Sequence, residues 1–125
     1  MDPTLEGIGQ IAITVSDVGK VLAFYRGILG LKFLFQPADS LAFVQAGDTR
    51  IILATPQGYG AVRANSILYI FRTHGIEGMY TELIKLGAVG ERVPQLAAKM
   101  PDYELWLGFL RDPDGNVVGL MEERR

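Results

Sequence analysis

One histidine, no cysteine and scattered carboxylates limit the chemistry open to this chain. His74 has no recognisable Ser or Asp partner and no Gly-x-Ser-x-Gly elbow exists, so nucleophilic acyl transfer has no machinery. Without a thiol there is neither a thiolate nucleophile nor a Cys-held metal. The glycines of Gln57-Gly58-Tyr59-Gly60 are not followed by Gly-Lys-Ser/Thr and so read as a flexible connection, not a phosphate cradle. Tyr103, Glu104 and His74 are the groups that could serve as acid or base, and Arg50 and Arg72 could meet an anion. A buried arginine would need an acidic partner or an anionic ligand, whereas one at a strand end reaches solvent. Each of the other groups also has a plain explanation: His74 as a solvated or capping side chain, Glu104 as a surface carboxylate, Tyr103 as packing.

Composition narrows the rest. At 125 residues the chain is expected to form a single domain over 1–125, long enough for one substantial core. Hydrophobic residues at 49% against 21% charged place it among globular proteins and not disordered ones. The net charge of −2 and the lack of an internal basic run leave no electrostatic footprint for nucleic acid. No apolar stretch is long enough to span a bilayer, and Met1-Asp2-Pro3-Thr4-Leu5-Glu6 lacks the order of a signal peptide. With no disulfide to protect, a cytoplasmic location is the expectation.

The elements that must position these groups recur in the same order twice. Gln10–Ser16 alternates as a half-buried strand, and Asp17 offers a cap to a helix from Val18 to Leu29 closed by Gly30. Strands 31–36, 41–45 and 50–54 follow. After the loop 55–65 the order returns: a strand at 66–73, then a helical stripe of Ile76, Met79, Tyr80, Leu83 and Leu86 closed by Gly87. Strands at 90–93, 104–110 and 117–122 complete it, with a long loop from Pro94 to Tyr103. At one constant offset Ile76, Met79, Tyr80 and Leu83 fall on Val18, Val21, Leu22 and Tyr25, which sets Leu68 on Gln10. The reading is two βαβββ modules, about 7–55 and 66–123.

Two motifs carry a resemblance. Arg111-Asp112-Pro113-Asp114-Gly115-Asn116-Val117-Val118-Gly119-Leu120 is a tight turn between strands, and Phe24-Tyr25-Arg26-Gly27-Ile28-Leu29-Gly30 closes the first helix. Together they resemble the vicinal oxygen chelate superfamily of glyoxalases, extradiol dioxygenases and bleomycin-resistance proteins. The resemblance implies an α+β fold: tandem βαβββ modules in a half-open, eight-stranded curved sheet, helices on the convex side. Alternation then puts Ile11, Ile13 and Val15 beneath the first helix and Gln10, Ala12 and Thr14 toward the cavity. Arg50, Ile52 and Ala54 face the cavity from the fourth strand, Leu68, Ile70 and Arg72 from the fifth, and Val117, Gly119 and Met121 from the last. Comparison with fosfomycin-modifying members turns Leu107 and Phe109 inward as well, with Glu104, Trp106 and Gly108 on the opposite face. It also sets Lys99 and Tyr103 in the loop near substrate, although a solvated lysine and a packed tyrosine are the better single readings of these two.

Members of that superfamily hold a metal with His, Gln or Glu at positions that correspond here to Gln10, Ile52, Leu68 and Gly119. One amide cannot hold a divalent ion, so no metal and no cofactor are expected. The resemblance therefore points to a metal-free binder of an apolar or amphipathic small molecule, held by Gln10, Thr14, Ile52, Leu68, Lys99, Tyr103, Leu107, Phe109, Gly119 and Met121. A lyase, isomerase or dioxygenase-type enzyme, metal-dependent or using Tyr103, Glu104 or His74, is the alternative. A homodimer is expected, because open sheet edges and an apolar face are poorly managed by a monomer.

Overall fold

The computed structural model describes residues 9–56 and 69–125. They lie in two compact units, Met1–Val62 and Arg63–Arg125. In the first, β1 (Gln10–Thr14) leads into α1 (Val18–Leu22) and a π-helical segment (Ala23–Ile28), then β2 (Lys32–Ala38), β3 (Leu41–Ala46) and β4 (Thr49–Ala54). In the second, β5 (Tyr69–Arg72) leads into α2 (Ile76–Lys85), then β6 (Val89–Lys99), β7 (Glu104–Arg111) and β8 (Val117–Arg124).

Among the described residues the strand orders are β1-β4-β3-β2 and β5-β8-β7-β6, a four-stranded sheet in each unit. In each, the first strand runs parallel to the last and the other pairs are antiparallel. The two ladders superpose residue for residue: Tyr69 pairs with Val118 as Ile11 pairs with Ile51, and Ile70 with Gly119 as Ala12 with Ile52. Beyond the parallel pair, Val15 donates its N–H to the carbonyl of Ala54 at 2.8 Å, and Thr73 donates to that of Met121 at 2.8 Å. Each unit thus has the same βαβββ order and the same parallel pairing of its first and last strands, although letter identity between the halves is faint.

Asp17 caps α1 as its type demands, its carboxylate accepting from the N–H of Lys20 at 3.0 Å. Beyond Leu22 the expected single helix widens into π geometry, with the N–H of Leu29 donating five residues back to Phe24 at 2.9 Å. The wider turn buries two adjacent aromatics instead of one. Phe24 and Tyr25 both enter the core and meet edge to face, their centroids 5.1 Å apart. Gly30, at φ +74°, then turns the chain into β2. Val15, Val18, Val21, Val44, Ile51 and Leu53 complete this core. Burial of each such side chain contributes about 1.5–3 kcal/mol.

Around α2 the buried set is Ile76 and Leu83, with Tyr69, Leu110, Val118 and Leu120 from the sheet. Met79 and Leu86 are exposed, so the apolar stripe read from spacing is wider than the face the sheet covers. The largest departure is β6, expected only at 90–93, which runs through Pro94 to Lys99. Proline is tolerated because β6 is an edge strand, and the ladder shifts register between Arg92 and Gln95 to pass it. The long loop shrinks to 100–103, closed by the N–H of Met100 donating to the carbonyl of Tyr103 at 2.8 Å. Among the described residues no helix is long and apolar enough to cross a membrane.

Candidate functional site

Each sheet has a helix face and an open face, and paired residues share a face. In the first module the rungs Gln10–Arg50–Gln45–Lys32, Ala12–Ile52–Phe43–Phe35 and Thr14–Ala54–Leu41 form the open face. This is the parity expected of Gln10, Thr14 and Ile52. The Nε of Arg50 donates to Oε1 of Gln10 at 3.0 Å. Ile52 is 2% exposed, between Ala12 and Phe43. Phe43 stacks on Phe35 with centroids 4.5 Å apart and planes 15° from parallel. Neither phenylalanine was singled out from sequence, though Ala42 and Val44, buried on the other side of β3, betray the alternation that turns Phe43 outward.

In the second module Ile70 pairs with Gly119 and Arg72 with Met121, while Phe109 and Leu107 face Gly119 and Met121 across β7. These six residues share one face, as alternation predicts for Ile70, Arg72, Gly119 and Met121 and as the resemblance implies for Leu107 and Phe109. Gly119 is closely approached by its neighbour: a Cβ there would stand 3.0 Å from Cγ1 of Ile70, so a side chain at 119 would require Ile70 to shift. Leu68, the remaining expected member, lies outside the described residues, as does Gln57-Gly58-Tyr59-Gly60. Lys99 departs from expectation. It ends β6 opposite Glu104, on the side away from Leu107, because the extended strand carries it out of the loop. Tyr103 is half-buried in the turn, with the guanidinium of Arg125 5.3 Å from its ring centre.

Glu104 is on the helix face with Trp106, Glu122 and Arg124. Its Oε1 accepts from the indole N–H of Trp106 at 3.2 Å, and Arg124 lies 4.3 Å from the centre of that ring. Trp106 is half-buried and is not a stacking platform on the open face. Glu122 accepts from the N–H groups of Gly75 at 2.7 Å and Ile76 at 3.2 Å. Those backbone donors, aided by Arg124, hold its carboxyl below the usual range. Arg124 also pairs with Glu77 on α2. This network fastens the helix to the sheet and was not visible in sequence, since Gly75 offers no capping side chain and its substitute comes from a distant strand. His74 is exposed in the turn before α2.

The Asp112–Asn116 turn is built as its sequence implies. Oδ1 of Asp112 accepts from the N–H groups of Asp114 at 2.9 Å and Asn116 at 2.8 Å, and Oδ2 from the Asn116 amide at 2.9 Å. Gly115 takes φ +81°. Arg111 braces the turn, donating to the carbonyl of Gly115 at 2.7 Å and to Glu91 at 2.8 Å. Both Asp112 and Asn116 are buried, and Tyr69 is nearby. Burial and the charge of Asp112 push its hydroxyl up to about 12.

The donors fit a divalent ion poorly. Among the described residues no three of His, Cys, Asp and Glu come together. The amide oxygen of Gln10 is turned to a guanidinium, so an ion bound to it would sit against a fixed positive charge. Ile52 offers no donor, and Gly119 has no side chain.

Solved structures share this fold. The chain resembles a lactoylglutathione lyase from Agrobacterium tumefaciens at 22% identity, TM-score 0.75 and 95% coverage of both chains. It resembles TnmS3, an antibiotic binding protein from Streptomyces sp. CB03234, at 22% identity and TM-score 0.71, covering 98% of this chain and 99% of that one. At 28% identity and TM-score 0.73 it resembles a member of the Glyoxalase/bleomycin resistance protein/dioxygenase superfamily from Sphaerobacter thermophilus, covering 95% and 98%. No curated protein matches in sequence. Residues 7–120 match the description of the same superfamily, and with the duplicated βαβββ ladders and the Asp112–Asn116 turn in place, the chain belongs to the Glyoxalase/Bleomycin resistance protein/Dioxygenase superfamily.

Proposed function

We propose that this protein is a metal-free small-molecule binder of the bleomycin-resistance type, acting in the cytoplasm as a homodimer and holding an apolar or amphipathic ligand on its open sheet faces. The observation that carries this reading is the chemistry at the positions where relatives hold a metal. Gln10 is engaged by Arg50, Ile52 is hydrocarbon, and Gly119 has no side chain and lies against Ile70. What those faces offer in exchange is apolar and aromatic area with a few polar groups, the usual make-up of a small-molecule site. In the second module Leu107, Phe109 and Met121 supply apolar area; in the first, Phe35 and Phe43 do so, with Gln10 and Thr14 as polar groups on the same face. Binding of an antibiotic by TnmS3 shows that a chain of this fold can serve such a role. The alternative acid–base groups are less well disposed, Glu104 lying on the helix face and His74 in an exposed turn.

Elemental analysis of protein purified without chelators tests the reading. No stoichiometric Zn, Ni, Fe or Mn is expected. About one equivalent per chain, lost in Gln10→Ala, would refute it and favour a metal-dependent enzyme. A thermal-shift screen of organic compounds is expected to return stabilising ligands, a ligand at 100 times its Kd adding about 2.7 kcal/mol. Light scattering at micromolar concentration is expected to give the mass of a dimer.

A further inference from the structure

We propose that the open face of the first module is a subsite for a planar aromatic compound carrying a carboxylate or phenolate. This rests on the binding role above and narrows it to a chemical class. Phe35 and Phe43 form a parallel stack at 4.5 Å, and Phe35, on the edge strand β2, is 49% exposed. An exposed pair of parallel rings leaves an apolar π surface in water, which a third ring covers by continuing the stack. One rung away is Arg50, with its guanidinium 5.9 Å from the centre of the Phe43 ring. Arg111, Arg124 and Arg125 each pair with a glutamate, whereas no carboxylate among the described residues reaches Arg50. Its Nε is taken by Gln10, which fixes the plane of the guanidinium while its terminal nitrogens keep donors for an anion. The charged residues on the paired rungs of this face are Lys32 and Arg50, both cations. A bound anion there meets no opposing carboxylate. Aromatic stack and oriented guanidinium lie within the span of one substituted ring system, so one ligand can use both.

The test titrates the full chain with 2-naphthoate and, as its uncharged counterpart, 2-naphthamide, by calorimetry and by the backbone and arginine Nε–H signals in a nitrogen-correlated NMR spectrum. Naphthoate is expected to bind more tightly than naphthamide and to shift the Arg50 Nε–H signal. Arg50→Gln is expected to weaken naphthoate about fivefold, the upper end for a solvent-accessible ion pair, with little effect on naphthamide. Phe43→Leu is expected to weaken both. Gln10→Ala keeps the charge but frees the guanidinium, and a smaller loss for naphthoate alone is expected. Arg50 is on the surface, and circular dichroism verifies that each variant is folded. Equal affinity for the two probes, or naphthoate binding that survives both Arg50→Gln and Phe43→Leu, overturns the subsite. If neither probe binds while other compounds stabilise the protein, the subsite fails and the binding role stands. If no compound stabilises it, both fail.

Discussion

Replacing Glu122 by Gln tests whether the helix of the second module is capped from across the sheet. Gly75 enters α2 with φ +63° and no capping side chain, so the first amides of the helix depend on the Glu122 carboxylate, at 2.7 and 3.2 Å. A capping interaction contributes about 0.5–2 kcal/mol, and a negative charge at a helix N-terminus about 0.3–1. Gln keeps one acceptor oxygen but loses the charge and the pair with Arg124 at 3.0 Å, which is partly exposed and adds little. The expected loss is about 1–2 kcal/mol at neutral pH, measured by urea unfolding. Glu77→Gln, which removes the other partner of Arg124 without touching the cap, should cost less than about 0.5 kcal/mol. The pH dependence sharpens the test. The folded carboxyl is held below its ordinary value of 4.5, first by the Gly75 and Ile76 amides. Its stabilisation is therefore complete above the unfolded value and is lost as pH falls through the folded one. The gap between wild type and Glu122→Gln should narrow in acid. Equal stabilities at pH 7, or a gap unchanged in acid, would refute the cap.

Three further outcomes are expected. Asp112→Ala removes a buried acceptor serving two backbone amides and the Asn116 side chain, and should cost about 2–4 kcal/mol in urea unfolding, with Asp112→Asn costing less. Tyr69, its hydroxyl pushed up to about 12 by burial and by Asp112, should stay protonated through pH 10 when tyrosinate absorbance is followed. Its stabilisation is complete below the unfolded value of 10.0 and lost as pH rises toward 12, a loss Tyr69→Phe should lessen. On the open face, Leu107→Asp should sharply weaken binding of an apolar ligand found by screening, because it sets a carboxylate in the apolar area formed with Met121 and Phe109; Glu104→Gln should leave binding nearly intact. The reverse pattern would move the reactive face to the other side of β7.

The sequence by itself determined the features that rest on local rules. Alternation along β1, β4 and β8 assigned Gln10, Ile52, Gly119 and Met121 to one face, because a strand has a fixed period of two, whereas the faces of Leu107 and Phe109 on β7 were legible only through the family resemblance. Asp17 and the Asp112–Asn116 turn were legible because a side chain within a few residues satisfies the backbone. The duplication was legible because four helical positions repeat at one offset. What only the tertiary structure decided depends on residues distant in the chain. Pro94 reads as a breaker until β6 is found to be an edge strand, where a missing N–H faces no ladder partner, and Lys99 moves with it. The Glu122 cap and the Arg50–Gln10 pair join residues 47 and 40 positions apart, which no local pattern encodes. Gly119 reads as a lost ligand, but only the parallel pairing of β5 with β8 brings Ile70 beside it, so that a side chain there would have to displace Ile70.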